Sequence, residues 1–153
     1  MKESMGVDRA EIVDVLVRYA TAIDTKDWRL FRTCFADEVT ANYSDIGSWN
    51  GVEDLTAFMV SAHGGMGRTQ HSLSNFVIEI AGDQCHSLTY VHAVTVLARH
   101  LDDWIDTIGT YEDQLERRAD GWHITSRIFR VTRTMLSPSL SMDSRTGTSG
   151  TSS

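Results

Sequence analysis

No apolar run in the 153 residues approaches the roughly 18 that a membrane-crossing helix requires, which excludes a transmembrane anchor from the reading. The N-terminus, MKESMGVDRAEI, lacks the apolar core of a secretory signal, so a cytoplasmic location is the default expectation. Basic residues are few and unclustered. With 14 Lys and Arg against 21 Asp and Glu, the net charge is -7, which argues against nucleic acid and anionic membrane as partners. The two cysteines, Cys34 and Cys85, show no metal-ligand spacing and read as small core residues in a reducing compartment. The six histidines form no HExxH-type cluster, and neither a phosphate-cradling glycine motif nor a GxSxG nucleophile elbow is present. No metal and no cofactor are expected.

What remains is an ordinary soluble composition, 41% apolar and 23% charged, in a chain long enough for one domain with a real core. Its organising stretch is an amphipathic helix from about Arg9 to Ile23, where Ile12, Leu16, Ala20 and Ile23 recur at helical spacing and Val13 and Val17 widen the stripe. Tyr19 interrupts that stripe and Asp24 lies on its flank at the helix end. A carboxylate drawn toward a core needs a cation or a donor, so a partner for Asp24 must exist elsewhere in the chain. Thr25 or Asp27 can cap a second short helix within TKDWRLFRTCF. A short strand at Glu38–Tyr43, turn chemistry from Ser44 to Gly51, and a third helix, VEDLTAFMVSAH, stopped by GGMG, complete the first half.

From Arg68 onward four long strands follow in series: RTQHSLSNFVIEI, QCHSLTYVHAVTVLAR, DTIGTYEDQLERR and WHITSRIFRVTRTM. Consecutive antiparallel strands of this length make a curved sheet with one apolar face, and the three helices are its cover. The expected architecture is α+β: three N-terminal helices packed in a strongly curved, mostly antiparallel sheet, a cone-shaped α+β barrel with a pocket between its layers. The domain is expected to span 1–136, followed by a flexible Ser/Thr/Gly-rich tail at 137–153.

Counting by twos assigns strand faces. On the first long strand His71, Leu73, Asn75 and Val77 point one way, and Ser72, Ser74, Phe76 and Ile78 the other. Leu88, Tyr90, His92, Val94 and Val96 share a face of the second, and His123, Thr125, Arg127, Phe129 and Val131 one of the last. His71 and Arg127 are the natural partners for Asp24. Phe31, Tyr43, Trp49, Phe58, Met59, Leu73 and Phe129 are expected to wall a pocket for a hydrophobic, cyclic or aromatic molecule. His63, His86, His100 and His123 read as loop or outer-face residues, and the charges of YEDQLERR as a solvated face, with Glu112, on the alternate face, the candidate for burial.

The series Tyr19, Asp24, His71 and Arg127, the order of elements and the closing GWHITSR resemble the SnoaL-like branch of the nuclear transport factor 2-like superfamily, over roughly residues 8–135. The pattern is most similar to the group of hexachlorocyclohexane dehydrochlorinase, bile acid dehydratase and scytalone dehydratase. The resemblance implies that His71 is a proton-abstracting base, Asp24 its orienting carboxylate, Arg127 the last-strand arginine and Tyr19 the tyrosine of the bile acid enzyme. His92 departs from that enzyme's aspartate and matches the histidine of scytalone dehydratase.

Such a set supports cofactor-independent elimination or isomerisation. Asp24 would hold the His71 tautomer, and Tyr19 or His92 would donate to the leaving oxygen or developing enolate. Polyketide cyclase, epoxide hydrolase and a non-catalytic binding or assembly subunit are the alternatives. Apolar residues counted onto the convex sheet face, Phe76, Ile78, Ile80, Ile124 and Ile128, lead to the expectation of a homo-oligomer, and the resemblance suggests a trimer where other relatives dimerise.

Overall fold

The apolar stripe of the first segment forms one long helix, α1 (Lys2–Thr25), which begins several residues before the periodicity becomes visible. Ile12, Leu16, Tyr19 and Ile23 along it are fully buried. The computed structural model describes residues 2–141. Asp27 caps the short α2 (Trp28–Arg32), its carboxylate accepting from the Leu30 amide at 2.9 Å. The rest of the expected second helix is absent because Phe35 already opens a strand, β1 (Phe35–Asn42). A single 3-10 turn (Ser44–Ile46) and a short strand, β2 (Ser48–Asn50), lead to α3 (Val52–His63), whose ends coincide with the sequence reading. The four long strands are β3 (Met66–Ala81), β4 (Gln84–Leu97), β5 (Trp104–Arg118) and β6 (Gly121–Leu136).

The six strands form one sheet in the order β2-β1-β6-β5-β4-β3, antiparallel throughout except where β1 runs parallel to β6. The sheet is curved and mostly antiparallel, as expected. It does not close, however, so the cone retains two edges, at β2 and β3. Helix α1 packs on β3 and β6, and α3 on β1, which places the core on the concave side.

Two irregularities overturn the simple period-two count. On β3 the register shifts between Ser74 and Val77, at Asn75, which has φ +52°, a left-handed conformation that asparagine tolerates better than most residues. His71 and Leu73 point inward before the bulge; beyond it Phe76, Ile78 and Ile80 pack on the core and Val77 is left 52% exposed. A second shift on β6 lies between Ile124 and Ser126, so Trp122 and Ile124 point inward ahead of it and Arg127 and Phe129 after it. Phe76, Ile78, Ile80 and Ile124 therefore do not form a convex apolar face. Gly109 on β5 faces β6 at such close range that a Cβ there would lie 2.3 Å from the Arg130 carbonyl and 2.8 Å from the Phe129 ring, which accounts for the glycine.

The chain just after β6 is held in place. Ser137 is buried, its amide donates to the Trp104 carbonyl at 2.9 Å and its hydroxyl to Asp103 at 3.1 Å. Ser139 also donates to Asp103. The start of the expected tail is thus anchored against the β4–β5 loop, and the remainder, 142–153, lies outside the described residues. Among the described residues no helix is long and apolar enough to cross a membrane. Cys34 and Cys85 are free and buried, and burial pushes both thiols up to about 11.

Candidate active site

Asp24 lies in the last turn of α1, where the helix passes the start of β3. Three donors from β3 occupy its carboxylate. The His71 ring Nδ1 reaches Oδ1 at 2.7 Å, the Thr69 hydroxyl donates to the same oxygen at 2.9 Å, and the His71 amide donates to Oδ2 at 2.9 Å. A carboxylate only accepts, so Nδ1 carries the hydrogen and Nε2 is left as the bare acceptor of the neutral ring.

Burial pushes the Asp24 carboxyl up, but the hydrogen bonds from the His71 ring and amide and from Thr69, with the attraction of the imidazolium, outweigh it and hold the group below its ordinary value. A carboxyl depressed on folding contributes stability that is fully present above its unfolded value of about 3.9 and is lost as pH falls through the lower folded value. The gap in melting temperature between wild type and Asp24→Asn should therefore shrink below about pH 4. A gap that stays constant to the acid limit of folding would show that these bonds do not hold the carboxylate.

His71 forms part of the wall of a cavity of about 330 Å3 between α1, α3 and the concave face of the sheet. Of the residues expected there, Tyr19, Tyr43, Phe58, Met59 and Phe129 also line it. Phe31 does not: it is fully buried behind the wall, its ring 5.6 Å from that of Tyr19. Trp49 lies outside too, stacked on Phe58 at 4.1 Å, and Leu73 packs into the core beside the cavity. Tyr19 and Tyr43 share a hydrogen bond of 2.8 Å between their hydroxyls. Burial drives both phenols well above their ordinary range, so both keep their hydrogens, and one of the two O–H groups is free to donate elsewhere.

Arg127 is brought to the site's floor but not to Asp24. It is completely buried and makes a two-pronged pair with the equally buried Asp113, Nε to Oδ1 at 2.7 Å and Nη2 to Oδ2 at 2.8 Å. Its guanidinium is sandwiched between Tyr19 and Tyr111, 4.0 Å from each ring centre. Burial opposes its charge, yet Asp113 and the surrounding groups hold its pKa well above the ordinary value. The expected Asp24–Arg127 pair is therefore replaced by two separate pairs. Asp113 lies in phase with Tyr111 and Leu115, both buried, and that spacing could have revealed it within YEDQLERR. Glu112, its neighbour, points to the outer face, bonded to His86 and Arg130.

His92 is not part of the cavity. The face it shares with Leu88, Tyr90, Val94 and Val96 is the convex one, because the inward residues of β4 are Cys85, Ser87, Thr89, Val91 and Ala93. There it is half exposed and bonded to Asp106 at 2.9 Å. His63, read as a loop or outer residue, is instead buried and lines the cavity, as do Tyr111 and Thr95. Its position four residues after Met59 on one helix face was the available signal. Among the described residues no Asp, Glu, Lys or Arg lines this cavity, and no three metal-ligating side chains come together.

A family profile described as "SnoaL-like domain" matches residues 7–128. An uncharacterized protein of Mycobacterium tuberculosis is 26% identical over 122 residues, which cover 79% of this chain and 83% of that one. A scytalone dehydratase-like protein from Novosphingobium aromaticivorans has the same fold, with a TM-score of 0.82 at 17% identity over 88% of this chain and 91% of that chain. Hexachlorocyclohexane dehydrochlorinase from Novosphingobium barchaimii gives a TM-score of 0.80 at 17% identity over 89% of this chain and 94% of that chain. The structural likenesses concern the fold, while the profile match spans most of α1 through β6: the chain belongs to the SnoaL-like family of the nuclear transport factor 2-like superfamily.

Proposed function

We propose that the protein is a cofactor-independent lyase or isomerase of the dehydratase or dehydrohalogenase type, in which His71 takes a proton from carbon. One observation carries this reading: Asp24, held by three donors, leaves His71 Nε2 as a bare acceptor at the wall of an uncharged cavity. His71 Nε2 would accept a proton from a carbon next to an activating group, and the C–H electron pair would become a new double bond as hydroxide or halide departs from the adjacent carbon. Asp24 would stabilise the imidazolium formed, and the free O–H of the Tyr19–Tyr43 pair would hydrogen-bond the departing atom or a developing enolate. In isomerisation the imidazolium would return the proton to a different carbon. Arg127 would act from beneath, holding Tyr19 and Tyr111 in place.

The cavity size and lining fit a small, neutral, hydrophobic ring compound. A base held by a carboxylate at a cavity wall is more than an assembly subunit requires, which favours the enzyme over that alternative. The proton-transfer step is testable with a simple carbon acid. In D2O, the protein saturated with 2-tetralone should speed deuterium entry beside the carbonyl, followed by NMR, far beyond an equal concentration of free imidazole. Exchange no faster than imidazole gives would count against His71 as a base.

We also propose a homo-oligomer and a cytoplasmic location. The convex face of the sheet exposes Val77 at 52% and Tyr90 at 48%, with Val94, Val96, Ile108 and Ile128 half-buried around them. Light scattering at micromolar concentration should report two or three chains, and a monomer would refute the assembly.

A further inference from the structure

One more imidazole lies on the cavity wall. His63 ends α3, where the buried stripe of Leu55 and Met59 continues to it, and it is itself 8% exposed. Its Nδ1 lies 2.9 Å from the Met59 carbonyl. A carbonyl only accepts, so Nδ1 carries the hydrogen and Nε2 is a bare acceptor. Trp28 lies against the ring, centroids 5.6 Å apart, and restricts its plane. No hydrogen bond to Nε2 occurs among the described residues. Burial lowers the ring's pKa and keeps it neutral; the Met59 bond and Asp24 oppose this, while the charges of His71 and Lys26 add to it.

Of the other polar groups on the wall, the Tyr19–Tyr43 pair keeps one O–H, a donor, and His71 keeps its bare Nε2, the base assigned above. The hydroxyls of Tyr19 and Tyr43 bond each other, those of Thr107 and Thr134 lie 3.4 Å apart, and His71 is held by Asp24. An acceptor with no donor in an otherwise apolar wall carries a desolvation cost that a ligand O–H or N–H would relieve. We infer that His63 Nε2 is the substrate-binding acceptor for a hydroxyl, so that the substrate class is a neutral hydroxylated ring compound rather than a hydrocarbon or a polyhalide. This rests on the cavity being the substrate site, as proposed above, and names what enters it. The substrate hydroxyl would be fixed from α3 while the C–H bond to be broken meets His71 on β3.

The test compares naphthalene and 2-naphthol, which differ by one hydroxyl, by ligand-observed NMR titration of the full chain. Wild type should bind 2-naphthol about tenfold more tightly, the worth of one neutral hydrogen bond. His63→Leu should bind naphthalene as before and lose the preference, and His63→Gln, whose side-chain oxygen reaches about as far, should recover part of it. No preference in wild type, or a preference kept in folded His63→Leu, would overturn the assignment. Should His63→Leu fail to fold, wild type with 15N-labelled histidine decides the matter: 2-naphthol must shift the His63 Nε2 resonance, and an unmoved resonance overturns the proposal. None of these readouts requires proton transfer, so loss of the His71 mechanism would leave this result standing, and the reverse.

Discussion

His71→Ala should reduce turnover of the true substrate by about 10²- to 10⁴-fold while leaving the protein folded, because a positioned general base typically contributes that much. Asp24→Asn should be nearly as damaging. An amide can still accept from Nδ1, but it cannot stabilise the imidazolium, and its NH2 can bond the other tautomer and turn the wrong nitrogen toward the substrate. A folded His71→Ala protein with a rate near wild type would make the residue structural, and the proton-abstraction mechanism would have to be abandoned.

Arg127→Met should have the largest effect on stability, about 3–5 kcal/mol, because it abandons the Asp113 carboxylate in a site with no exposure to water. The cost comes mostly from the orphaned charge. Removing both partners together, as Arg127→Met with Asp113→Leu, should therefore be far less harmful than the sum of the two single changes. Urea denaturation of the four proteins measures this directly, and additive effects would show that the pair is not energetically coupled. Because Arg127 supports Tyr19 and Tyr111 rather than lining the cavity, any rate lost in its variants should follow lost stability. A variant as stable as wild type but catalytically dead would instead give the guanidinium a direct part in the reaction.

Elements whose signals are local were legible without a structure. The third helix was read to its ends, Val52 and His63, since a glycine pair stops it and its apolar residues fall at helical spacing. The long strands were read to within a few residues because AGD and ADG mark the hairpins that connect them. A carboxylate on the flank of a buried helix demands a donor, and the strands offered two candidates, His71 and Arg127, of which the structure pairs His71 with Asp24. Less visible was anything that depended on which side of a strand faces the helices, as His92 illustrates. Its strand alternates apolar and polar residues on both faces, so period two groups His92 with Tyr90 and Val94 correctly without saying whether the group faces in or out.

The sequence by itself determined the fold class, the order of elements and the first half of the site, because helical periodicity, turn residues and the cost of burying a lone carboxylate are properties of short stretches of chain. Tertiary structure decided the rest. The inserted residues near Asn75 and Thr125 each reverse the phase of a strand, turning Phe76, Ile78 and Ile80 inward on one and allowing both Ile124 and Arg127 to face the core on the other. Arg127 found Asp113 rather than Asp24 because the antiparallel register sets those two residues directly opposite on β5 and β6. His63 became a cavity residue only when the end of α3 was laid over the sheet. Register and packing arise between segments distant in sequence, and no count along one segment contains them.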